Sequence, residues 1–92
     1  MKDYSYPLDL DWSTEEMVQV TNLWAAVEAA YETGIDCQLF RAKYREFKLV
    51  VKSIGEEKRL GNTFEKVSGY SLYRVVQQAK KQVTGQIKMG GS

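Results

Sequence analysis

The chain has 92 residues, which is enough for one domain and too few for two. Its composition, 43% hydrophobic and 27% charged, is typical of a soluble globular protein and argues against a disordered tail, a fibrous repeat or a membrane span. Histidine is absent and cysteine occurs once, which excludes His-based acid–base catalysis, a zinc cluster and a CxxC redox pair. We therefore expect no enzymatic activity, no cofactor and no metal site.

The first twelve residues predict an extended arm. Apolar side chains occupy every second position, which places five on one face of an extended segment: Tyr4, Tyr6, Leu8, Leu10 and Trp12. Pro7 and the intervening aspartates disfavour a regular central strand. We expect the arm, residues 1–12, to lie across a core that other elements supply.

A first helix is predicted over residues 14–33. Ser13 and Glu16 form an S-x-x-E capping box at its start, and Gly34 can end it in the left-handed conformation. Between these signals, apolar residues recur at steps of three and four: Met17, Val20, Trp24, Val27 and Tyr31. This spacing is typical of a helix with one buried face.

Three more helices follow in the prediction. Asp36 is expected to cap the second, whose apolar positions are Leu39, Phe40, Tyr44, Phe47, Val50, Val51 and Ile54. Ser53 and Glu56 offer a second capping box for the third helix, whose apolar face is Leu60, Phe64 and Val67, with Gly61-Asn62 as a weak point. After a stop at Ser68-Gly69, the fourth has Leu72, Val75, Val76, Ala79 and Val83 on one face.

The predicted fold class is therefore all-α, a small four-helix array with the extended N-terminal arm packed across it. We expect a single helical domain over residues 1–83. Residues 84–92 contain three glycines and two apolar side chains, so they are expected to form a flexible tail.

Charge is segregated along the chain. Residues 1–36 contain eight acids and one base, whereas residues 37–92 contain twelve bases and four acids. Bases recur along one face of the second helix: Arg41, Arg45, Lys48 and Lys52. In an antiparallel hairpin of the first two helices, we expect the two arginines to face Glu28 and Glu32 and the two lysines to stay available.

Aromatic and basic residues near the end of the chain complete a candidate interaction surface. Tyr73 lies outside the apolar face of the fourth helix, and tyrosine and arginine are common at interface hot spots. Tyr70 could belong to this surface or could pack into the core at the end of the third helix. The candidate surface consists of Lys48, Lys52, Tyr70, Tyr73, Arg74 and Lys81.

Two other features are interpreted as structural. Cys37 has no second cysteine or base beside it and is expected to be a half-buried side chain. Acidic pairs lie in the arm or in the first turns of helices, where carboxylates stabilise the helix: Asp9/Asp11, Glu15/Glu16 and Glu56/Glu57.

Four strings in the chain resemble a known family. They are YSYPLDLDWSTEE at residues 4–16, YREFK at 44–48, EEK at 56–58 and SGYSLYR at 68–74. Together they make residues 3 to about 81 similar to the YktA-like proteins, short proteins of Bacillota grouped as uncharacterised protein family 0223. The resemblance implies a small all-helical domain. It implies no activity, and no residue role is carried over from it.

The function that these features favour is protein interaction. We expect a small adaptor domain with an unidentified protein partner or a weak homo-oligomer, because segregated charge and exposed aromatic residues suit a partner surface. The alternative is a nucleic-acid-binding module that uses the basic face of the second helix, although the sequence pI of about 7.8 is low for that class. A lone cysteine and the lack of an apolar leader favour the cytoplasm, and no membrane association is expected.

Overall fold

The computed structural model describes residues 4–89, which form four α-helices and one short antiparallel pair of strands. The helices are α1 (Thr14–Glu32), α2 (Cys37–Val50), α3 (Ile54–Ser68) and α4 (Leu72–Gln82), and the strands are β1 (Ile35–Asp36) and β2 (Gln86–Ile87). The prediction of a mostly helical fold preceded by an extended arm is confirmed.

All four helix starts and the end of α3 lie where local capping groups predict them. The capping box of Ser13 and Glu16 is complete in both directions, and the Asp36 carboxylate accepts a hydrogen bond from the Leu39 amide in the first turn of α2. The Ser53 hydroxyl caps α3, and Gly69 ends that helix with a φ of 82°. Each group satisfies backbone atoms that the helix itself leaves without partners, and each lies within a few residues of the boundary that it stabilises.

Trp24 is the centre of the core. Its indole is stacked on Phe64 of α3, with ring centroids 4.6 Å apart, and meets Phe47 of α2 edge-on at 5.8 Å. The contact between Trp24 and Phe47 lies well away from the joint between α1 and α2, as an antiparallel pair requires. The fourth helix closes the core with Leu72, Val75, Val76 and Ala79, all buried.

Some side chains assigned to apolar faces are exposed. The prediction that Ile54 belongs to the buried face of helix two is wrong, because the chain leaves the helix at Val51 and Ile54 starts α3, 68% exposed. Leu39, Val67 and Val83 are exposed as well. Helix α3 is continuous through Gly61-Asn62, the predicted weak point.

The arm packs its aromatic residues on the core, as predicted. The rings of Tyr4 and Tyr6 each lie 6.1 Å from the ring of Phe64. The indole N–H of Trp24 donates a hydrogen bond to the backbone carbonyl of Pro7 at 3.2 Å. The arm thereby covers the stacked pair of Trp24 and Phe64 that joins α1 to α3.

The buried carboxylate of Glu28 fastens the arm. Its Oε1 accepts a hydrogen bond from the Tyr6 hydroxyl at 2.7 Å, and its Oε2 accepts one from the Tyr4 hydroxyl. Burial raises the pKa of the Tyr6 hydroxyl to about 12, and the hydrogen bond to Glu28 and the negative charge of Glu28 act in the same direction. The pKa of Tyr4 is raised for the same reasons.

The predicted alternation of the arm fails beyond Pro7. Leu8 is partly exposed and Leu10 is 90% exposed, so they do not share the buried face of the tyrosines. The reason is a turn: the Trp12 amide donates to the Asp9 carbonyl at 3.1 Å, and the Asp11 amide donates to the Asp9 side chain at 2.9 Å. The turn redirects the chain into α1 and sends Leu10 outward.

The segment after α4 differs from the expected flexible tail. Val83 has a φ of 67° and a ψ of −47°, and the Thr84 amide donates to the Gln82 carbonyl at 2.7 Å, which is a tight γ-turn. Strand β2 then pairs with β1, Ile87 opposite Ile35, and Ile87 is fully buried. The docked segment reaches Met89, and residues 90–92 of the expected tail lie outside the described residues.

This docking predicts that Ile87 matters for stability. Ile87→Ala removes buried methyl groups from the core and should lower the free energy of unfolding by about 2–5 kcal/mol. Urea denaturation measures the change, with Leu49→Ala, an exposed position on α2, as the matched control. Equal midpoints for the two variants would show that the segment contributes nothing to the folded state.

The tyrosine–carboxylate cluster predicts alkaline instability. The folded pKa of Tyr6 lies above its ordinary value of 10.0, so its contribution to stability is present below pH 10 and is lost as the pH rises to about 12. Tyr6→Phe, which cannot ionise, should show a smaller loss across that interval. Chemical denaturation at closely spaced pH values tests this, and parallel profiles for the two proteins would contradict it.

Candidate functional site

A concave groove of about 730 Å³ lies among α2, α3 and α4. Two exposed apolar side chains flank it, Ile54 at the start of α3 and Tyr73 in the first turn of α4, the latter 70% exposed. Buried Leu72 and Val76 of α4 form part of its lining. The groove therefore offers apolar surface that other described elements leave uncovered.

The rim of the groove is mainly basic. Four bases and two acids line it: Lys48, Lys58, Arg74, Lys80, Glu57 and Glu65. Among residues 4–89, Lys58, Arg74 and Lys80 form no ion pair. Their charges are therefore available to a ligand.

Lys48, in contrast, is already paired. Its Nζ lies 2.5 Å from Oε1 of Glu57, and the Tyr44 hydroxyl donates to the other oxygen of that carboxylate at 2.7 Å. Burial raises the pKa of Tyr44, and the hydrogen bond and negative charge of Glu57 add to the effect. The three side chains tie α2 to α3 and form one wall of the groove.

A smaller hollow of about 270 Å³ adjoins the groove between α2 and α4. The two share Tyr44, Lys48, Val76 and Lys80. The hollow adds Arg41 and Arg45 from α2, so the basic surface continues along that helix.

The structure divides the predicted interaction surface. Lys48, Tyr73 and Arg74 all line the groove. Lys52 and Lys81 are exposed but lie outside its lining.

Tyr70 packs elsewhere. Its ring is stacked on that of Tyr31 with centroids 4.7 Å apart, and its hydroxyl donates to the Glu32 carboxylate at 2.7 Å. Of the two alternatives that the sequence left open for Tyr70, the structure favours the packing role. Tyr70 joins the end of α3 to the end of α1.

The expected pairing between the first two helices is wrong. Within residues 4–89, neither Glu28 nor Glu32 forms an ion pair with an arginine of α2. The glutamates accept hydrogen bonds from tyrosine hydroxyls of the arm and of the α3–α4 connection instead. Arg41 and Arg45 line the hollow between α2 and α4.

Several groove residues escaped the sequence prediction. Ile54 was assigned to a buried face, and Glu57 was interpreted as a helix-cap acid only. One signal was available, because Tyr73, Gln77 and Lys80 share one face of α4 at steps of four and three and all line the groove. No local signal places Lys58 or Glu65 opposite that face.

Other chemistry-bearing groups are accounted for structurally. Cys37 is fully buried, deeper than expected, with its thiol 3.5 Å from the Ala79 carbonyl. In the part of the chain that the structure describes, no three acidic or cysteine side chains converge as metal ligands. None of the four described helices combines the length and the apolar character needed to cross a lipid bilayer.

A family model described as "Uncharacterised protein family (UPF0223)" matches residues 3–88. The chain belongs to this family. The resemblance found in the arm and in the SGYSLYR string is thereby confirmed.

UPF0223 proteins similar to this chain occur in several Firmicutes. One from Enterococcus faecalis (strain ATCC 700802 / V583) is 68% identical over 90 residues, covering 98% of each chain. One from Listeria monocytogenes serotype 4a (strain HCC23) is 56% identical and covers 95% of this chain and 97% of its own. One from Streptococcus pneumoniae (strain CGSP14) is 55% identical and covers 97% of each. The names of these UPF0223 proteins state no activity.

The ion pair in the groove wall predicts that charge reversal has different effects at two lysines, Lys48 in α2 and Lys52 in the loop after it. In this UPF0223 protein, Lys48→Glu places a carboxylate beside Glu57 and should lower the free energy of unfolding by about 1–2 kcal/mol. Lys52→Glu, at an exposed position, should change it by less than about 0.5 kcal/mol. Urea denaturation at neutral pH measures both, and equal losses would contradict the pairing.

Proposed function

We propose that the chain is a small, non-enzymatic protein-interaction domain that binds an acidic protein segment in the groove among α2, α3 and α4. The observation that carries this proposal is the combination of exposed Ile54 and Tyr73 with three bases that form no ion pair among the described residues, Lys58, Arg74 and Lys80. An apolar centre rimmed by charge is the usual anatomy of a protein-binding surface. Tyrosine and arginine are also the residue types that contribute most to such interfaces.

The same groove is a poorer match for nucleic acid. Glu57 neutralises Lys48 within the predicted basic stripe, and Glu65 adds a further negative charge to the lining. Phosphate groups need closely spaced free bases, and each acid among them weakens binding. Nucleic-acid binding therefore remains the alternative, with the arginines of α2 as its main support.

We also propose that the domain acts in the cytoplasm, and this point and its lack of enzymatic activity are supported by the sequence. A chain without histidine and with one cysteine lacks the common nucleophile–base pairs. The solitary cysteine suits a reducing compartment, where this domain would meet its protein partner.

Site-specific photo-crosslinking tests the proposal. A photoreactive amino acid at Tyr73, introduced in cells of the source species, should yield a discrete protein adduct. The matched control is the same amino acid at Val67, which is exposed on α3 but outside the groove. Arg74→Glu combined with Lys80→Glu should abolish the Tyr73 adduct.

Three results would contradict the proposal. They are the absence of adducts at Tyr73, identical protein adducts at Tyr73 and Val67, and nucleic acid in place of protein at Tyr73. The last result would favour the alternative function.

A further inference from the structure

The arm presents an ordered acidic turn to solvent. We define the acidic turn as residues 9–16, which contain Asp9, Asp11, Glu15 and Glu16. The hydrogen bonds of the Asp11 and Trp12 amides to Asp9 fix its backbone. Leu10 stands at its tip, 90% exposed, with one aspartate on each side.

A single exposed leucine is ordinary on a protein surface. This one differs because it sits on a preordered turn between two carboxylates, so a partner that binds it loses little conformational entropy. A site that binds this tip needs an apolar depression with basic groups around it.

The groove has that composition. Ile54 and Tyr73 supply exposed apolar surface, and Lys58, Arg74 and Lys80 are bases without an ion-pair partner in residues 4–89. The adjoining hollow contributes Arg41 and Arg45. By contrast, residues 4–36 contain seven acids and no base. The acidic turn and the groove thus carry opposite charges on surfaces that both remain accessible.

We propose that the groove of one molecule binds the acidic turn of a second copy. This inference rests on the proposed function and names the occupant of the groove. Leu10 would contact Ile54 and Tyr73, while its flanking aspartates face the bases of the rim.

The occupant is a second copy because the turn does not fill the groove of its own molecule. Leu10 and Tyr73 are both exposed within the same chain. The arm is also held in place before the turn by its bonds to Glu28 and Trp24, and after it by the capping box of α1. An intramolecular contact would require these bonds to break.

The contact joins two different surfaces, so each molecule has one turn and one groove to offer. Such heterologous contacts close into a ring or extend into a chain. One leucine and a few exposed ion pairs give weak binding, and we expect a Kd of about 0.1–1 mM that weakens about tenfold as salt screens the charges.

A complementation experiment tests the inference. Sedimentation velocity at low salt should show association for the wild-type protein and for Val18→Ser, an exposed control on α1 outside the acidic turn. Leu10→Ser and Arg74→Glu should each sediment as monomers. Their equimolar mixture should form a one-to-one dimer, because the first variant keeps an intact groove and the second keeps an intact turn.

The contradicting results are distinct from those for the proposed function. A wild-type protein that stays monomeric to about 1 mM, or a mixture of variants that stays monomeric, overturns the inference. Association of the wild-type protein that Leu10→Ser leaves unchanged overturns it as well. If the Tyr73 crosslinker then captures another protein in an Arg74-dependent manner, the proposed function stands and only the occupant is wrong.

Discussion

A buried carboxylate organises this molecule. Glu28 lies on the inward face of α1, where an ionised side chain is destabilising unless its oxygens are hydrogen-bonded. Two tyrosine hydroxyls from the arm, Tyr4 and Tyr6, supply those bonds. The same tyrosines place their rings against Phe64. The two residues that hydrogen-bond the carboxylate therefore also cover the aromatic core. Without the arm, burial of this face of α1 would leave the Glu28 carboxylate without these two hydrogen bonds.

The fixed arm also determines what the molecule presents to its surroundings. Once the Pro7 carbonyl is bound to Trp24 and Ser13 caps α1, the intervening residues must turn within a short distance. That turn sends Leu10 outward between two aspartates. At the other end of the chain, the γ-turn at Val83 lets β2 return to the joint between α1 and α2. The exposure of Leu10 and the burial of Ile87 therefore both follow from how the arm and β2 are attached to the helices.

Sequence reasoning succeeded where structure depends on near neighbours. The caps at Ser13 and Asp36 and the left-handed end at Gly69 all involve groups within a few residues, and each was predictable. It failed where partners lie far apart in the chain. Glu28 meets Tyr6 across 22 residues, and a glutamate at an apolar position gives no sign of which group will bind it. The groove is missed in part for the same reason, because three helices contribute to it and sequence spacing describes one helix at a time.

The segregation of charge has no evident use inside one molecule. The two ion pairs among residues 4–89, Lys48–Glu57 and Arg59–Glu56, both lie in the basic part of the chain. No described ion pair joins an acid of residues 4–36 to a base of residues 37–89. Opposite charges that could have neutralised each other by folding therefore stay unpaired with one another in this part of the chain, and six of the bases line the groove and the hollow. Separated charge of this kind adds little to the stability of one molecule, but it steers and orients association between molecules. The physical consequence of the fold is a polar molecule whose acidic and basic groups do not neutralise each other across residues 4–89.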